Sequence, residues 1–545
     1  MNNFNILLLM LLLFSACATS QETDNPPTSP NIIVILADDM GYSDIQPFGG
    51  EIPTPNLNKL ADHGLTMTQF YNAGRCCPTR ASLLTGLYQH QAGVGYMDKP
   101  KKDSLKKIVP NYQGHLNQSC VTIAEVLKTN GYQTYLSGKW HVGRAEPYWP
   151  SKRGFDNSFA YVYGAGSYFN LEPFRPGNDK SLLLYNDSVV DPGEDFYLTR
   201  AISDHAVNFI DQSAEKENPF FMYVAYTAPH WPLHALTEDI EKFSGQYAGG
   251  WDSLRQVRYQ KMQEMELLYD TWPLTDRFVH KENPSLTPSW DSLSYEEKQK
   301  WEKRMAVYAA MVYRMDAGIG RIVEQLKTSG QYENTLIMFL SDNGACHEPI
   351  YLWDISYDQS GPIGSPNSFD AYGFPWANAS NTPLRMFKHW TMEGGISTPF
   401  IAHWPAQIKE KTVNRTDYAH IIDIMATSVD LSEADYPQTY NDQAIHPMEG
   451  ISLLPLFQKQ DFPQDRLLFW EHKGNIAVRK GDLKLVRSHQ GYVENKDEWQ
   501  LFNLANDRVE LNNLIQAQPD KASELQEAYW QWAKRIGVSR WDDLN

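Results

Sequence analysis

Short unbroken runs of apolar residues alternate along the chain with longer segments in which apolar residues recur every three or four positions. The short runs are typical of strands buried on both faces of a parallel sheet, and the longer segments are typical of amphipathic helices. Strands are predicted at 31–36, 133–136, 219–225 and 335–340. Helices are predicted at 55–63, 79–88, 122–130, 197–212 and 304–329. The alternation predicts an α/β fold built on a doubly wound sheet.

The pattern changes after residue 460, where short strands are separated by turn residues. These strands are predicted at 467–470, 476–479, 483–488 and 499–504, and one helix at 522–535. Closely spaced strands of this kind favour a small antiparallel sheet. We therefore divide the chain into a catalytic domain at 30–460 and a C-terminal subdomain at 461–545.

The composition is that of a soluble globular protein, with 42% hydrophobic residues in a chain of 545. The net charge of −18 argues against a nucleic-acid partner, because such binders usually carry a basic face. Taken as a bulk property, this charge also disfavours an anionic substrate. The five cysteines are too few and odd in number for a disulfide framework.

The N-terminus has the pattern of a targeting segment. Residues 6–14 form an apolar run shorter than the ~20 residues that a membrane span needs. Phe14-Ser15-Ala16-Cys17 resembles a bacterial lipobox, although no Lys or Arg precedes the run and Phe14 stands where Leu is usual. We expect a signal peptide at 1–17, lipidation of Cys17 and a polar tether at 18–29. This indicates an exported protein, a periplasmic or outer-membrane lipoprotein of a Gram-negative bacterium; an ordinary cleaved signal is the alternative.

Carboxylates follow two of the predicted strands. Asp38 and Asp39 follow the first strand, and Asp342 and Asn343 follow the strand at 335–340. In open α/β sheets, ligands bind at the carboxyl ends of the strands. An all-oxygen set suits Ca²⁺ or Mg²⁺, whereas each Asp alone could simply cap a turn.

The segment from Cys76 to Gly86 is the most informative. Pro78 suits the first turn of a helix, which places Cys76 just before the helix begins. A helix N-terminus attracts anions, and Arg80 adds a bidentate donor for a tetrahedral oxyanion. We interpret the segment as a nucleophile at an anion site; the alternative is a pair of buried cysteines beside a helix start.

Cys76-x-Pro78-x-Arg80 followed by Leu84-Thr85-Gly86 resembles the signature of the type I, formylglycine-dependent sulfatases of the alkaline phosphatase superfamily. One departure is Ser397, where the family commonly has Arg after its Glu-Gly-Gly turn. The segments 228–235 and 387–390 resemble the arylsulfatase branch. Further motifs fall in family order at 31–39, 138–141, 340–344, 388–395 and 470–504.

The resemblance implies a large, mixed, mostly parallel sheet flanked by helices, with a smaller C-terminal antiparallel sheet and helix. It also implies that a maturation enzyme converts Cys76 to Cα-formylglycine, the attacking group. One Ca²⁺ would be held by Asp38, Asp39, Asp342 and Asn343.

The remaining roles also come from the resemblance. Arg80, Lys139 and Lys388 would hold sulfate oxygens. His141 would take the proton of the nucleophile when sulfate leaves, and His230 would protonate the departing oxygen of the substrate as general acid. The residues left as structural are Trp231, His234, His347, His389, Cys77, Cys120 and Cys346.

The expected substrate is a small sulfated molecule, most plausibly a sugar sulfate. Aromatic-rich segments at 161–169, 251–290 and 351–376 either line the cleft or anchor loops. Ca²⁺, Arg80, Lys139 and Lys388 would set the electric field at the sulfate position. The net charge therefore argues only against binding to nucleic acid or to polyanionic surfaces. It still favours short or singly sulfated substrates.

Two alternatives stay open. The nearest enzyme is a phosphodiesterase or phosphonate monoester hydrolase of the same superfamily. From another class, the chain could be a non-catalytic lipoprotein that binds sulfated glycan, although an intact set of catalytic residues argues against it.

Overall fold

The sheet that carries the predicted site has a central block of parallel strands. The structure is a computed structural model that describes residues 29–102, 107–173, 180–353, 358–489 and 495–544. Within these ranges the main sheet has eleven strands, in the order β10-β2-β9-β8-β1-β7-β3-β4-β5-β6, with β11 beside β2. They are β1 Asn31–Ala37, β2 Leu65–Tyr71, β3 Gln133–Lys139, β4 Asn157–Tyr161, β5 Leu183–Tyr185, β6 Ser188–Val189, β7 Phe220–Ala225, β8 Thr335–Ser341, β9 Ser397–His403, β10 Thr412–Asn414 and β11 Ala419–His420.

Strands β8, β1, β7, β3 and β4 run parallel to one another. Strand β9 is antiparallel to β8 and β2. Alternate residues of β1 enter two different cores: Ile33 and Ile35 pack on one face, and Ile32 and Val34 on the other. This confirms the predicted mixed, mostly parallel sheet covered on both faces.

Helices cover the two faces of this sheet. The helix α7 begins earlier than predicted, because Ser294 and Glu297 form a capping box ahead of the apolar pattern. The helices are α1 Pro55–Asp62, α2 Cys76–Thr85, α3 Ile123–Thr129, α4 Leu198–Ala214, α5 Thr237–Ile240, α6 Gly250–Glu264, α7 Tyr295–Thr328, α8 Gly373–Ser380, α9 Glu393–Ile396, α10 Asp423–Ser432, α11 Leu454–Phe457 and α12 Pro519–Ile536.

The C-terminal part contains the predicted antiparallel sheet, with α12 packed on β15 and β16. The boundary predicted between 30–460 and 461–545 falls between α11 and β14, and as a division into domains it stays a prediction. The C-terminal strands are β14 Leu467–His472, β15 Asn475–Lys480, β16 Leu483–Arg487 and β17 Trp499–Asn503, and a separate hairpin consists of β12 Thr439–Tyr440 and β13 Gln443–Ala444.

A buried ionic cluster joins this subdomain to the main sheet. The Lys484 ammonium lies 2.8 Å from Glu393 Oε1 and 2.9 Å from Glu510 Oε1. Arg508 Nε donates to Glu393 Oε2 at 3.0 Å, and Arg508 also donates to Ser397 Oγ at 2.6 Å. Burial raises the pKa of the Glu393 carboxyl, but Lys484 and Arg508 outweigh it and lower that pKa to about 2.

The predicted signal peptide (1–17), Cys17 and the tether (18–29, apart from residue 29) lie outside the described residues. Among the residues that the structure describes, no helix is both long and apolar enough to cross a membrane.

Candidate active site

The two predicted acidic segments lie side by side at one edge of the sheet. Strands β1 and β8 pair in parallel with Ala37 opposite Ser341, so both chains leave the sheet at the same level. Asp39 N–H donates to Asp342 Oδ1 at 3.1 Å, and Asn343 Nδ2 donates to Asp39 Oδ1 at 2.7 Å. Asp39 has a left-handed backbone with φ of 66°, which an Asp adopts only where its surroundings impose it.

The donor set fits a hard divalent cation. The four side chains are buried, and among the described residues Asp38 Oδ1 and Asn343 Oδ1 accept no hydrogen bond. Buried polar oxygens are normally satisfied, so these two face a ligand position. Burial, and then Asp342, raise the pKa of the Asp38 carboxyl well above its usual range, because neighbouring anions repel its charge. A bound cation would relieve that repulsion.

Each predicted sulfate-binding cation lies against a predicted metal ligand. Lys139, the last residue of β3, donates to Asp38 Oδ2 at 2.5 Å. Lys388 lies 2.7 Å from the Asp39 carboxylate. Arg80 donates to Asp342 Oδ2 at 2.8 Å. The predicted cations and anions therefore form one buried ionic network.

Cys76 is the first residue of α2, with Arg75 as the residue before it. The sequence predicted Cys76 just before the helix, because Pro78 suits a first turn; in the structure the helix begins at Cys76 itself, and Pro78 is the third residue of its first turn. A hydrogen bond from Cys77, helped by the charges of His141 and Lys139, holds the pKa of the buried Cys76 thiol well below its usual range. Cys76 therefore lies at the end of α2 where the backbone N–H groups of the first turn have no partner within the helix.

The two predicted catalytic histidines flank this helix end. His141 Nε2 lies 3.2 Å from Cys77 Sγ and 3.4 Å from Asp98 Oδ2. His230 Nε2 lies 3.4 Å from Lys388 Nζ, and His230 Nδ1 lies 2.5 Å from the Trp231 carbonyl oxygen. Because only a donating Nδ1 suits that carbonyl, we assign the His230 proton to Nδ1, which leaves Nε2 as an acceptor. Burial lowers the pKa of His230 to about 3.

A pocket of about 620 Å³ opens above Cys76, His141 and His230. Trp231 Nε1 donates to Glu348 Oε2 at 2.9 Å, and Arg75 pairs with Glu348 Oε1 at 3.2 Å. The sequence analysis missed eight polar lining residues, since nothing local marks their convergence: Arg75, Tyr96, Asp98, Lys99, Arg144, Ser181, Glu348 and Lys473. Arg75 would have been the easiest of them to predict from the sequence, because it directly precedes the nucleophile motif.

Several residues left as structural do lie near the site. Trp231 lines the pocket, together with Trp353 of the aromatic segment 351–376. His347 packs between the rings of Phe374 and Trp390, and the Cys346 thiol donates to Glu348. The aromatic segment 251–290 does not line the pocket. Its largest side chains are buried in the core, where they anchor the loops: Trp251, Trp272 and Trp290.

Comparisons with known proteins agree with this geometry. The family described as Sulfatase matches residues 30–434, and the one described as N-sulphoglucosamine sulphohydrolase, C-terminal, matches 385–535. An uncharacterised sulfatase of Schizosaccharomyces pombe is 35% identical over 537 residues, covering 92% of each chain. The arylsulfatase of Klebsiella aerogenes is 36% identical over 458 residues, which cover 82% of this chain and 94% of that protein.

A solved structure is similar along nearly the whole chain. The crystal structure of Ps i-CgsB in complex with k-i-k-neocarrahexaose superposes with a TM-score of 0.67 at 27% identity, covering 95% of this chain and 99% of that one. The family match extends over most of the chain, and the fold is that of the alkaline phosphatase-like superfamily. The chain therefore belongs to the sulfatase family and is a sulfuric ester hydrolase, as the sequence resemblance predicted.

Proposed function

We propose that the protein is an exported sulfatase that hydrolyses a sulfate ester of a carbohydrate, using formylglycine made from Cys76 and one Ca²⁺. The observation that carries this proposal is the position of Cys76 at the N-terminus of α2. There it lies among Arg80, Lys139 and His141, at the floor of an open pocket. This arrangement presents a nucleophile to a bound anion, as sulfate transfer requires.

A maturation enzyme would convert Cys76 to formylglycine. The hydrated aldehyde supplies one hydroxyl to attack sulfur and a second whose deprotonation releases the sulfate. His141 would accept that second proton, since its ring lies against the first turn of α2, with Nε2 3.2 Å from Cys77 Sγ.

Asp38, Asp39, Asp342 and Asn343 would hold the cation, which neutralises part of the charge of the sulfate group. Arg80, Lys139 and Lys388, which the acidic side chains hold in place, would then bind the sulfate oxygens as fixed donors. Fixed charges of this kind contribute most to catalysis, because they need no reorganisation as the reaction proceeds.

The departing oxygen needs a proton. His230 is neutral at pH 7, with Nε2 accepting from Lys388 at 3.4 Å. We propose that His230 acts as the general acid in its protonated form: Nε2–H gives its proton to the departing oxygen and the ring returns to the neutral state.

The carbohydrate substrate and the export are supported by separate observations. Trp231 and Trp353 lie in the pocket wall and offer ring faces and edges to a sugar. The related Ps i-CgsB was solved with k-i-k-neocarrahexaose. The apolar leader and the lipobox-like Cys17 support export, with a lipid anchor to the membrane.

The test is mass analysis of the Cys76 peptide together with sulfate release from an aryl sulfate and a panel of sulfated sugars. Active protein is expected to carry an aldehyde at residue 76, and Cys76→Ala is expected to be inactive. Cys120→Ser is the matched control, since that thiol lies outside the pocket lining, where it donates to the Asn117 carbonyl and contacts Arg153 Nη2. Unmodified Cys76 in fully active protein, or faster turnover of a phosphodiester or phosphonate monoester, would overturn the proposal.

A further inference from the structure

The active-site pocket carries more positive charge than sulfate binding uses. Outside the network around Asp38 and Asp39, its wall has four cationic side chains and two carboxylates. The cations are Arg75, Lys99, Arg144 and Lys473, and the anions are Asp98 and Glu348.

Both carboxylates already have partners. Asp98 accepts from Arg144 Nε at 2.5 Å, and Glu348 pairs with Arg75 at 3.2 Å. Lys473 is half-buried, lies 5.5 Å from the centre of the Tyr96 ring, and forms no ion pair with any described carboxylate. It is therefore a positive charge in the pocket wall that no carboxylate of the described residues pairs with directly, and Glu348, which attracts it at longer range, is already paired with Arg75.

The backbone holds Lys473 there at a conformational cost. Lys473 and Gly474 form the two-residue turn between β14 and β15, with φ of 53° and 79°. A turn with positive φ at both positions favours Asn or Asp followed by Gly, and a Lys at the first position is unusual. A residue that departs from the local preference at a pocket wall is a candidate for a functional role.

The turn is also held rigidly. Gly474 N–H donates to Glu471 Oε1 at 2.8 Å, Glu471 Oε2 lies 2.9 Å from His90 Nε2, and Asn475 Nδ2 donates to the His389 carbonyl at 3.2 Å. Burial, and then the neighbouring Arg75, lower the pKa of Lys473 to about 8. The contacts with His90 and His389 hold the C-terminal hairpin against the catalytic part, so the backbone of Lys473 is positioned at the pocket wall before substrate binds.

We propose that Lys473 forms an anion subsite beside the sulfate position, so that the enzyme prefers esters whose alcohol part carries a second anionic group. This inference rests on the proposed sulfatase function and extends it to the substrate class. The shared chemistry is an anionic oxygen cluster, either a sugar carboxylate or a second sulfate. An incoming anion of either kind would give Lys473 the partner that the protein lacks.

The test compares kcat/KM for two esters, 4-nitrophenyl sulfate and the same ester with a ring carboxylate, in wild type, Lys473→Asn and Lys473→Arg. Asn removes the charge but fits the left-handed turn better, so Lys473→Asn is expected to keep or raise the unfolding temperature. We expect the ratio of kcat/KM, carboxylated over plain ester, to fall about tenfold in Lys473→Asn, mainly through KM, and to be largely retained in Lys473→Arg.

Lys480→Asn is the matched control, because Lys480 lies at the far end of β15 and pairs with Glu524 on the surface. A monosulfated disaccharide, its uronic acid counterpart and its disulfated counterpart distinguish carboxylate from sulfate. An unchanged ratio in Lys473→Asn would overturn this inference while leaving the proposed function intact. No turnover of any sulfate ester by the wild type would overturn the proposed function, and this inference with it.

Discussion

The protein has two buried ionic clusters, and they differ in what their charges do. The cluster around Asp38 and Asp39 lies next to the pocket, since the pocket-lining His230 is 3.3 Å from Asp39, and it contains oxygens that accept no hydrogen bond from described residues. In the cluster around Glu393, both carboxylate oxygens have partners: Lys484 on one, and Arg508 and Tyr71 on the other. Buried charge alone therefore does not identify a site; incomplete pairing beside an opening does.

The largest expected effect comes from Asp38→Asn in the first cluster. Activity is expected to fall about 10²–10³-fold, because a ligand oxygen and the partner of Lys139 change together. The unfolding temperature of chelator-treated protein should stay the same or rise, since burial and Asp342 already disfavour the Asp38 charge. Steady-state kinetics and calorimetry check both. Asp204→Asn, at an exposed ion pair, is the control, and a clear loss of stability in Asp38→Asn would contradict the comparison.

Glu393→Gln should lower stability and leave activity largely unchanged, the opposite of what is expected for Asp38→Asn. Leaving Lys484 and Arg508 without their shared carboxylate is expected to lower the free energy of unfolding by about 3–5 kcal/mol. Activity per folded molecule should be largely retained, because Glu393 lines no part of the pocket. Denaturant titration measures the loss, with the exposed Glu524→Gln as control. If Glu393→Gln lost activity but not stability, the second cluster would belong to the site.

The same cluster predicts a pH dependence of stability. The folded-state pKa of Glu393 is lowered to about 2, so its contribution is present above the unfolded pKa of about 4.3. That contribution is lost as pH falls from there toward 2. Unfolding free energies measured between pH 5 and about 2.5 should therefore fall more steeply in wild type than in Glu393→Gln. Parallel curves would show that Glu393 does not stabilise the fold through its charge.

The smallest expected effect is that of Ser397→Ala. Its hydroxyl accepts one hydrogen bond from Arg508 at 2.6 Å, at the position where the family commonly has Arg. Losing that bond should cost about 1 kcal/mol of stability, measured by denaturant titration. A much larger loss would mean that Ser397 organises the cluster rather than completing it.

The sequence predicted most of what is local. Strand β1 and the acidic pair after it, and α2 with its Cys76-x-Pro78-x-Arg80 motif, could be identified from short contiguous patterns. Strands β2 and β9 could not, because their polar residues are buried in an antiparallel pairing between segments more than 300 residues apart, such as Thr66 opposite Ile401. Tertiary partners override local pattern at such positions.

The site divides in the same way. The family motifs named the residues at the floor of the pocket, but its wall is assembled from distant segments, with Glu348 beside Arg75 and Lys473 near Tyr96. The bulk charge of −18 pointed toward singly sulfated substrates, whereas the unpaired Lys473 favours a second anion. The electrostatic potential in a pocket depends on which charges are paired there. Amino-acid composition carries no information about pairing.

The most direct measurement is quantitative mass analysis of residue 76 in preparations that differ in specific activity, made with and without a formylglycine-generating enzyme. We expect sulfate release per molecule to rise in proportion to the fraction of Cys76 converted to aldehyde. Activity that is independent of that fraction, or full activity with an intact Cys76 thiol, would contradict the proposed mechanism.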